Sequence, residues 1–126
     1  MEIPAGGRQP ARPRTERLRK RSDFLRLNRG HREATRGFVL LGRDRQDGEG
    51  TIRTGFTCSK KLGGAVSRNR AKRRLREIAR LALAPRARPG WDYVLIGRRD
   101  TTASMPFETL CADLVRALEN LHSDRP

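Results

Sequence analysis

The sequence predicts a single α+β domain in which a small mixed β-sheet is packed with helices, in the order α-β-β-(β)-α-β-α. Three observations carry that reading. Residues 37–42 (GFVLLG) and 91–97 (WDYVLIG) are short apolar runs of strand character. Residues 51–58 (TIRTGFTC) alternate with period two. The stretches around Ala71 and Leu114 instead repeat apolar side chains at helical spacing. A chain of 126 residues holds one such domain with a modest core, and it contains no internal repeat.

Taken in order, residues 1–16 combine Pro4, Pro10 and Pro13 with arginines and almost no apolar side chains, the composition of a disordered basic tail. The folded domain is expected over 17–122, with 123–126 a disordered C-terminus. Ser22 and Asp23 favour a helix start and Gly30 a stop, so a short helix is predicted over 22–29, with Phe24 and Leu27 facing the domain. After the first strand, Asp47-Gly48 suits a hairpin turn. In the strand at 51–58, Ile52, Thr54, Phe56 and Cys58 alternate with Arg53, Gly55 and Thr57. If Phe56 faces the core, Arg53 and Thr57 lie on the opposite face, where a ligand meets them.

Residues 59–80 (SKKLGGAVSRNRAKRRLREIAR) carry nine basic side chains against one acid, Glu77. On a helical wheel centred on Ala71, the residues Leu75, Ile78, Ala79 and Ala82 fall within about 80°, and most of the remaining arc is Lys, Arg and Asn. Ser67 is the expected N-cap, and Pro85 ends the helix. The near-continuous Val94-Leu95-Ile96 predicts a central strand buried on both faces, from which Arg98 and Arg99 emerge as a second, smaller basic spot. Ser104 is expected to cap the last helix with Pro106 in its first turn, and Phe107, Leu110, Cys111, Leu114, Val115, Leu118 and Leu121 keep one apolar face to its end.

A formal net charge of +15 and a pI near 11.6 call for a polyanion. Nucleic acid is the simplest, because Lys and Arg release the counterions of its phosphates. No apolar stretch is long enough for a membrane span, and no membrane partner is expected. Cys58 and Cys111 lack CxxC spacing, which favours free thiols in a reducing, cytoplasmic setting. Catalytic ingredients are sparse. His31 and His122 have no acid or cysteine at ligand spacing, and Asp44, Asp47 and Glu49 read as an ordinary polar turn. Gly63-Gly64 reads as a turn rather than a phosphate nest. Two strands precede the basic helix, so no helix-turn-helix partner stands before it, and RNA suits this surface better than a DNA groove. A generic structured-RNA-binding or RNA-remodelling protein, or a DNA-binding architectural protein, is the alternative.

The stretch SKKLGGAVSRNRAKRRLRE resembles the signature of the bacterial ribonuclease P protein subunit, and RLRKRSDFLRLNRG, GFVLLGRD, TGFTCSKK and WDYVLIGRR extend the likeness over residues 17–121. The resemblance implies a subunit of an endoribonuclease whose RNA subunit removes the 5′ leader of precursor tRNA. That RNA uses Mg2+ held mainly by itself and the substrate; the protein alone is expected to be inactive, with no obligate protein partner. It also implies that Lys60, Lys61, Arg68, Asn69, Arg70, Lys72, Arg73 and Arg76 face the catalytic RNA. Phe24 matches an aromatic in a cleft that takes the single-stranded leader, and Arg53 and Thr57 are expected in the same cleft. Asn28 and Leu41 stand where the family often has aromatics. A left-handed βαβ crossover through the basic helix is held only through this resemblance, since general connection rules predict the opposite hand.

Overall fold

A computed structural model describes residues 14–58 and 64–123. Five strands form one mixed sheet: β1 (Thr15–Arg17), β2 (His31–Ala34), β3 (Phe38–Asp44), β4 (Ile52–Cys58) and β5 (Trp91–Gly97). The spatial order is β1-β4-β5-β3-β2, so the most apolar strand, β5, lies at the centre. β4 runs parallel to β5, which requires a crossover, and α2 (Ala65–Ile78) supplies it. β3 is antiparallel to both β5 and β2, and β1 is parallel to β4.

Period-two alternation sends the strands' side chains to two separate cores. On one face Phe38, Leu40, Ile52, Tyr93 and Leu95 meet Leu75 and Ile78 of α2 and Leu110, Leu114 and Leu118 of α4 (Phe107–Leu121). On the other, Val39, Leu41 and Val94 meet Leu18 and Leu27, with Phe24 and Ile96 partly buried beside them. This second core is smaller. It is roofed by α1 (Arg21–Arg26) and a single 3-10 turn at Leu27–Arg29, which leave part of the sheet uncovered.

Several boundaries differ from the sequence-based expectation. The expected tail over 1–16 overlaps β1, which the N–H of Ile52 and the N–H of Leu18 tie into the sheet by donating to Arg14 and Thr54 carbonyls, both at 2.8 Å. Its three residues are polar and exposed, so only the anchor Leu18 carries a hydrophobic signal. Helix α1 begins at Arg21 after Lys20 instead of at Ser22. Helix α2 begins at Ala65 with extended Gly64 as N-cap, so Ser67 lies in its first turn and caps nothing. A π-helical turn, Ala79–Leu83, then widens the helix, with the N–H of Ala84 donating to the Ala79 carbonyl at 2.8 Å. It stands directly before Pro85, which has no N–H to continue the α-helical ladder and whose ring would crowd the Leu81 carbonyl. The expected cap Ser104 instead ends a one-turn helix, α3 (Thr101–Ser104), and Pro106 occupies the N-cap of α4. At the C-terminus Ser123, expected in a disordered end, donates its N–H to Asn120.

Candidate nucleic-acid interface

The geometry separates the basic side chains into two groups. The first surrounds Asp92, whose side chain is 1% exposed in the middle of the sheet. A carboxylate taken out of water needs compensating cations. Arg53, its register partner on β4, supplies a two-pronged match, with Nε donating to Oδ1 at 2.8 Å and Nη2 to Oδ2 at 2.7 Å. Arg45 donates from Nη1 to Asp92 Oδ1 at 2.8 Å and from Nε to Asp47 Oδ2 at 2.8 Å. The bond from Arg45 holds the Asp47 carboxyl below its usual range. The same guanidinium ties the β3–β4 turn, with Gln46 and Gly48 at positive φ, to the central strand.

Arg53 also reaches the roof. Its Nη1 donates to Asp23 Oδ2 at 3.3 Å, linking α1 to the sheet. Next to Asp23, the half-buried ring of Phe24 lies over β4 at Gly55. A Cβ at Gly55 would stand 2.7 Å from the Phe24 ring, so only glycine admits this approach. Thr57 and its register partner Ile96 are half-buried beyond Phe24 on the same face. Phe24 and Thr57 therefore lie on the same face of the sheet. Arg53 lies on that face too, but its guanidinium is occupied by two carboxylates and acts as a strut. Leu41 is sealed in the second core, and Asn28 is exposed.

The second group lines α2. Ala71, Leu75 and Ile78 are buried against the sheet, while Asn69, Arg70, Arg73 and Arg76 are exposed or nearly so, and Arg68 and Lys72 flank them on the same helix. Arg70, Lys72, Arg73 and Arg76 have no carboxylate partner among the described residues. Lys72 and Arg68 lie close enough to Cys58 for their charge to offset part of the burial that pushes that thiol up. Arg74 is different. It turns inward, donating to the Ala103 carbonyl at 3.0 Å and to that of Met105, with its guanidinium 5.9 Å from the centre of the Phe107 ring. Lys60 and Lys61 lie outside the described residues.

Sequence reasoning missed Asp92, Asp23 and Gly55 as the parts that hold α1 and the Phe24 ring against the sheet. Two of them left a trace: Asp92 is an acid inside an apolar strand, and Gly55 is a glycine interrupting a strand's alternation. His31 lies in β2 with its ring 5.8 Å from Trp91, and His122 closes α4 with its Nε2 2.8 Å from the Tyr93 hydroxyl. Among the described residues no three His, Cys, Asp or Glu side chains come together to hold a metal ion, and no helix is long and apolar enough to cross a membrane.

Fold and surface together define a polyanion-binding α+β protein with a cationic helix on one side of its sheet and the Phe24 ring over the other. A family model for ribonuclease P matches residues 13–122. The ribonuclease P protein component of Ruegeria pomeroyi is 59% identical over 110 residues, spanning 86% of this chain and 88% of that protein. That of Caulobacter vibrioides is 50% identical over 110 residues, spanning 86% and 72%. Among solved structures, the RNase P protein from Thermotoga maritima superposes with a TM-score of 0.70 at 32% identity, covering 85% of this chain and 98% of that one. The Staphylococcus aureus RNase P protein gives 0.67 at 30%, covering 84% and 94%. The chain belongs to the ribonuclease P protein family, the protein component of the RNA-based enzyme that processes tRNA 5′ ends.

Proposed function

We propose that the outer face of α2 docks the catalytic RNA of ribonuclease P and that the cleft between α1 and the sheet receives the 5′ leader of precursor tRNA. One observation carries this reading. The acids near the cleft are matched by Arg45 and Arg53, whereas Arg70, Lys72, Arg73 and Arg76 have no acid to meet among the described residues. Such a face binds a phosphate backbone by displacing its counterions, and arginine's planar fork suits phosphate oxygens. Arg68 and Asn69 extend the same face, with Lys60 and Lys61 preceding it in the chain.

In the cleft, the half-buried ring of Phe24 offers a face on which an unpaired leader base stacks, and Thr57 offers a hydroxyl on the sheet floor. Arg53 contributes by holding Asp23, and hence α1, in place. The protein's own carboxylates do not fit a magnesium site, since Asp23 and Asp92 are already held by arginine. Mg2+ is therefore assigned to the RNA and the substrate, and the protein supplies affinity and alignment. The place of action is the cytoplasm, where Cys58 and Cys111, both with pKa raised by burial, remain thiols.

Reconstitution tests the reading. The catalytic RNA with this protein should cleave precursor tRNA efficiently at low magnesium, and the protein without RNA should not cleave. Metal-dependent cleavage by RNA-free protein contradicts it. Co-purification with many RNAs in place of one abundant structured RNA would favour a generic RNA-binding role.

A further inference from the structure

The basic spot left by Arg98 and Arg99 takes on a definite shape once the chain is folded. A groove of about 450 Å³ runs between the first turns of α2 and the turn that joins β5 to α3. Ala71, Ala103 and Val66 give it an apolar lining, and Val66 is 84% exposed, the most exposed large hydrophobic residue in the described protein. Arg70 reaches the groove from α2 and Arg98 from the end of β5. Neither makes an ion pair among the described residues. Asp100, at φ +65° in the turn, adds one carboxylate to the lining.

Arg98 also has a firm base. Its N–H donates to Thr102 Oγ1 at 2.7 Å, and the fully buried Thr102 hydroxyl donates onward to the Gly37 carbonyl. The backbone from which the guanidinium projects is therefore fixed to the sheet, while the side chain itself is exposed.

We infer that this groove is a pocket for a single unstacked nucleotide of the catalytic RNA. A phosphate backbone alone is served by cations alone and gives no reason for an exposed valine between two arginines. A nucleobase has an apolar face, which Val66, Ala71 and Ala103 cover, and its attached phosphates meet Arg70 and Arg98. Asp100 accepts hydrogen bonds only, so the base turns an N–H, amino or ring imino, toward it. The volume suits one nucleotide and not a helix. The inference rests on α2 docking the catalytic RNA, with which the groove is continuous through Arg70.

The test uses full-length protein, the catalytic RNA and precursor tRNA, with Arg98→Ala, Val66→Asp and Asp100→Asn compared with Arg116→Ala on α4, outside the groove. Arg98→Ala and Val66→Asp should each weaken affinity for the catalytic RNA about tenfold, Arg98→Ala should lower the salt slope by about one, and both should retain the wild-type melting temperature. Chemical probing of the complex should show one unpaired nucleotide whose protection is lost in both variants and kept in Arg116→Ala. Asp100→Asn should weaken that protection while leaving the salt slope in place. Wild-type affinity and protection in Arg98→Ala and Val66→Asp overturn the pocket, as does a loss confined to precursor tRNA binding. If Arg73→Ala and Arg76→Ala are silent as well, the docking of α2 itself fails. If they lose affinity while the groove variants do not, only the pocket fails.

Discussion

Around Asp92, arginines are hydrogen-bonded and matched by carboxylates; along the outer face of α2, Arg70, Arg73 and Arg76 are exposed and have no carboxylate partner among the described residues. The same residue type thus has opposite energetic roles on the sheet and on the helix. In the first region the cost of desolvating a carboxylate is offset by two guanidinium groups, so removing the acid leaves two cations inside the fold. In the second, each side chain remains in water until a polyanion arrives, so its removal costs binding and spares stability. Charge count alone does not separate these roles. Position relative to the sheet does.

The contrast is broken most severely at Asp92. Asp92→Ala should lower unfolding free energy by about 3–5 kcal/mol in urea denaturation, because Arg45 and Arg53 lose their shared partner. A loss under about 1 kcal/mol would show that Asp47, Asp23 and water suffice for those arginines. Arg74 comes next, because it lies on the basic helix yet turns inward to backbone carbonyls. Arg74→Ala should cost about 2 kcal/mol through its bonds to the Ala103 and Met105 carbonyls, with little effect on the salt slope of RNA binding. A reduced slope with unchanged stability would move it to the outer group.

Phe24→Ala probes the cleft. It should weaken binding of precursor tRNA by about 1–3 kcal/mol, the range of one base–aromatic stack, and leave binding of mature tRNA unchanged. Equal losses for both RNAs would argue that Phe24 only fills the second core. The smallest effect is expected at Tyr93, whose hydroxyl accepts the Arg88 N–H at 2.9 Å. Burial raises its pKa to about 12. The unfolded chain loses this proton near its ordinary value of 10 while the native state keeps it, so stability falls as pH rises from about 10 to about 12. Tyr93→Phe should flatten that decline and cost about 1 kcal/mol at neutral pH, read by thermal melting across the pH range.

The sequence made much of this arrangement readable, for identifiable reasons. The stripe of Ala71, Leu75 and Ile78 is a periodic signal and survives any tertiary context, as does the apolar density that places β5 at the sheet's centre. β1 and β2 left little trace because they are short and largely exposed, and β1 pairs with a strand distant in sequence. The roles of the arginines required register. Arg53 alternates to the cleft face just as period two predicts, yet only its pairing opposite Asp92 shows that its charge is already engaged. Arg74 sits in the cationic arc of the wheel and still turns inward, because α3 and the link to α4 present carbonyls there.

The most direct measurement is a salt titration of catalytic-RNA binding by wild-type protein and the double variant Arg73→Ala/Arg76→Ala, alongside urea denaturation of both. Docking through the outer face of α2 predicts a salt slope lower by about one for each phosphate that the variant no longer neutralises, with stability unchanged to within about 0.5 kcal/mol. An unchanged slope, or a stability loss that accounts for the weaker binding, would contradict it.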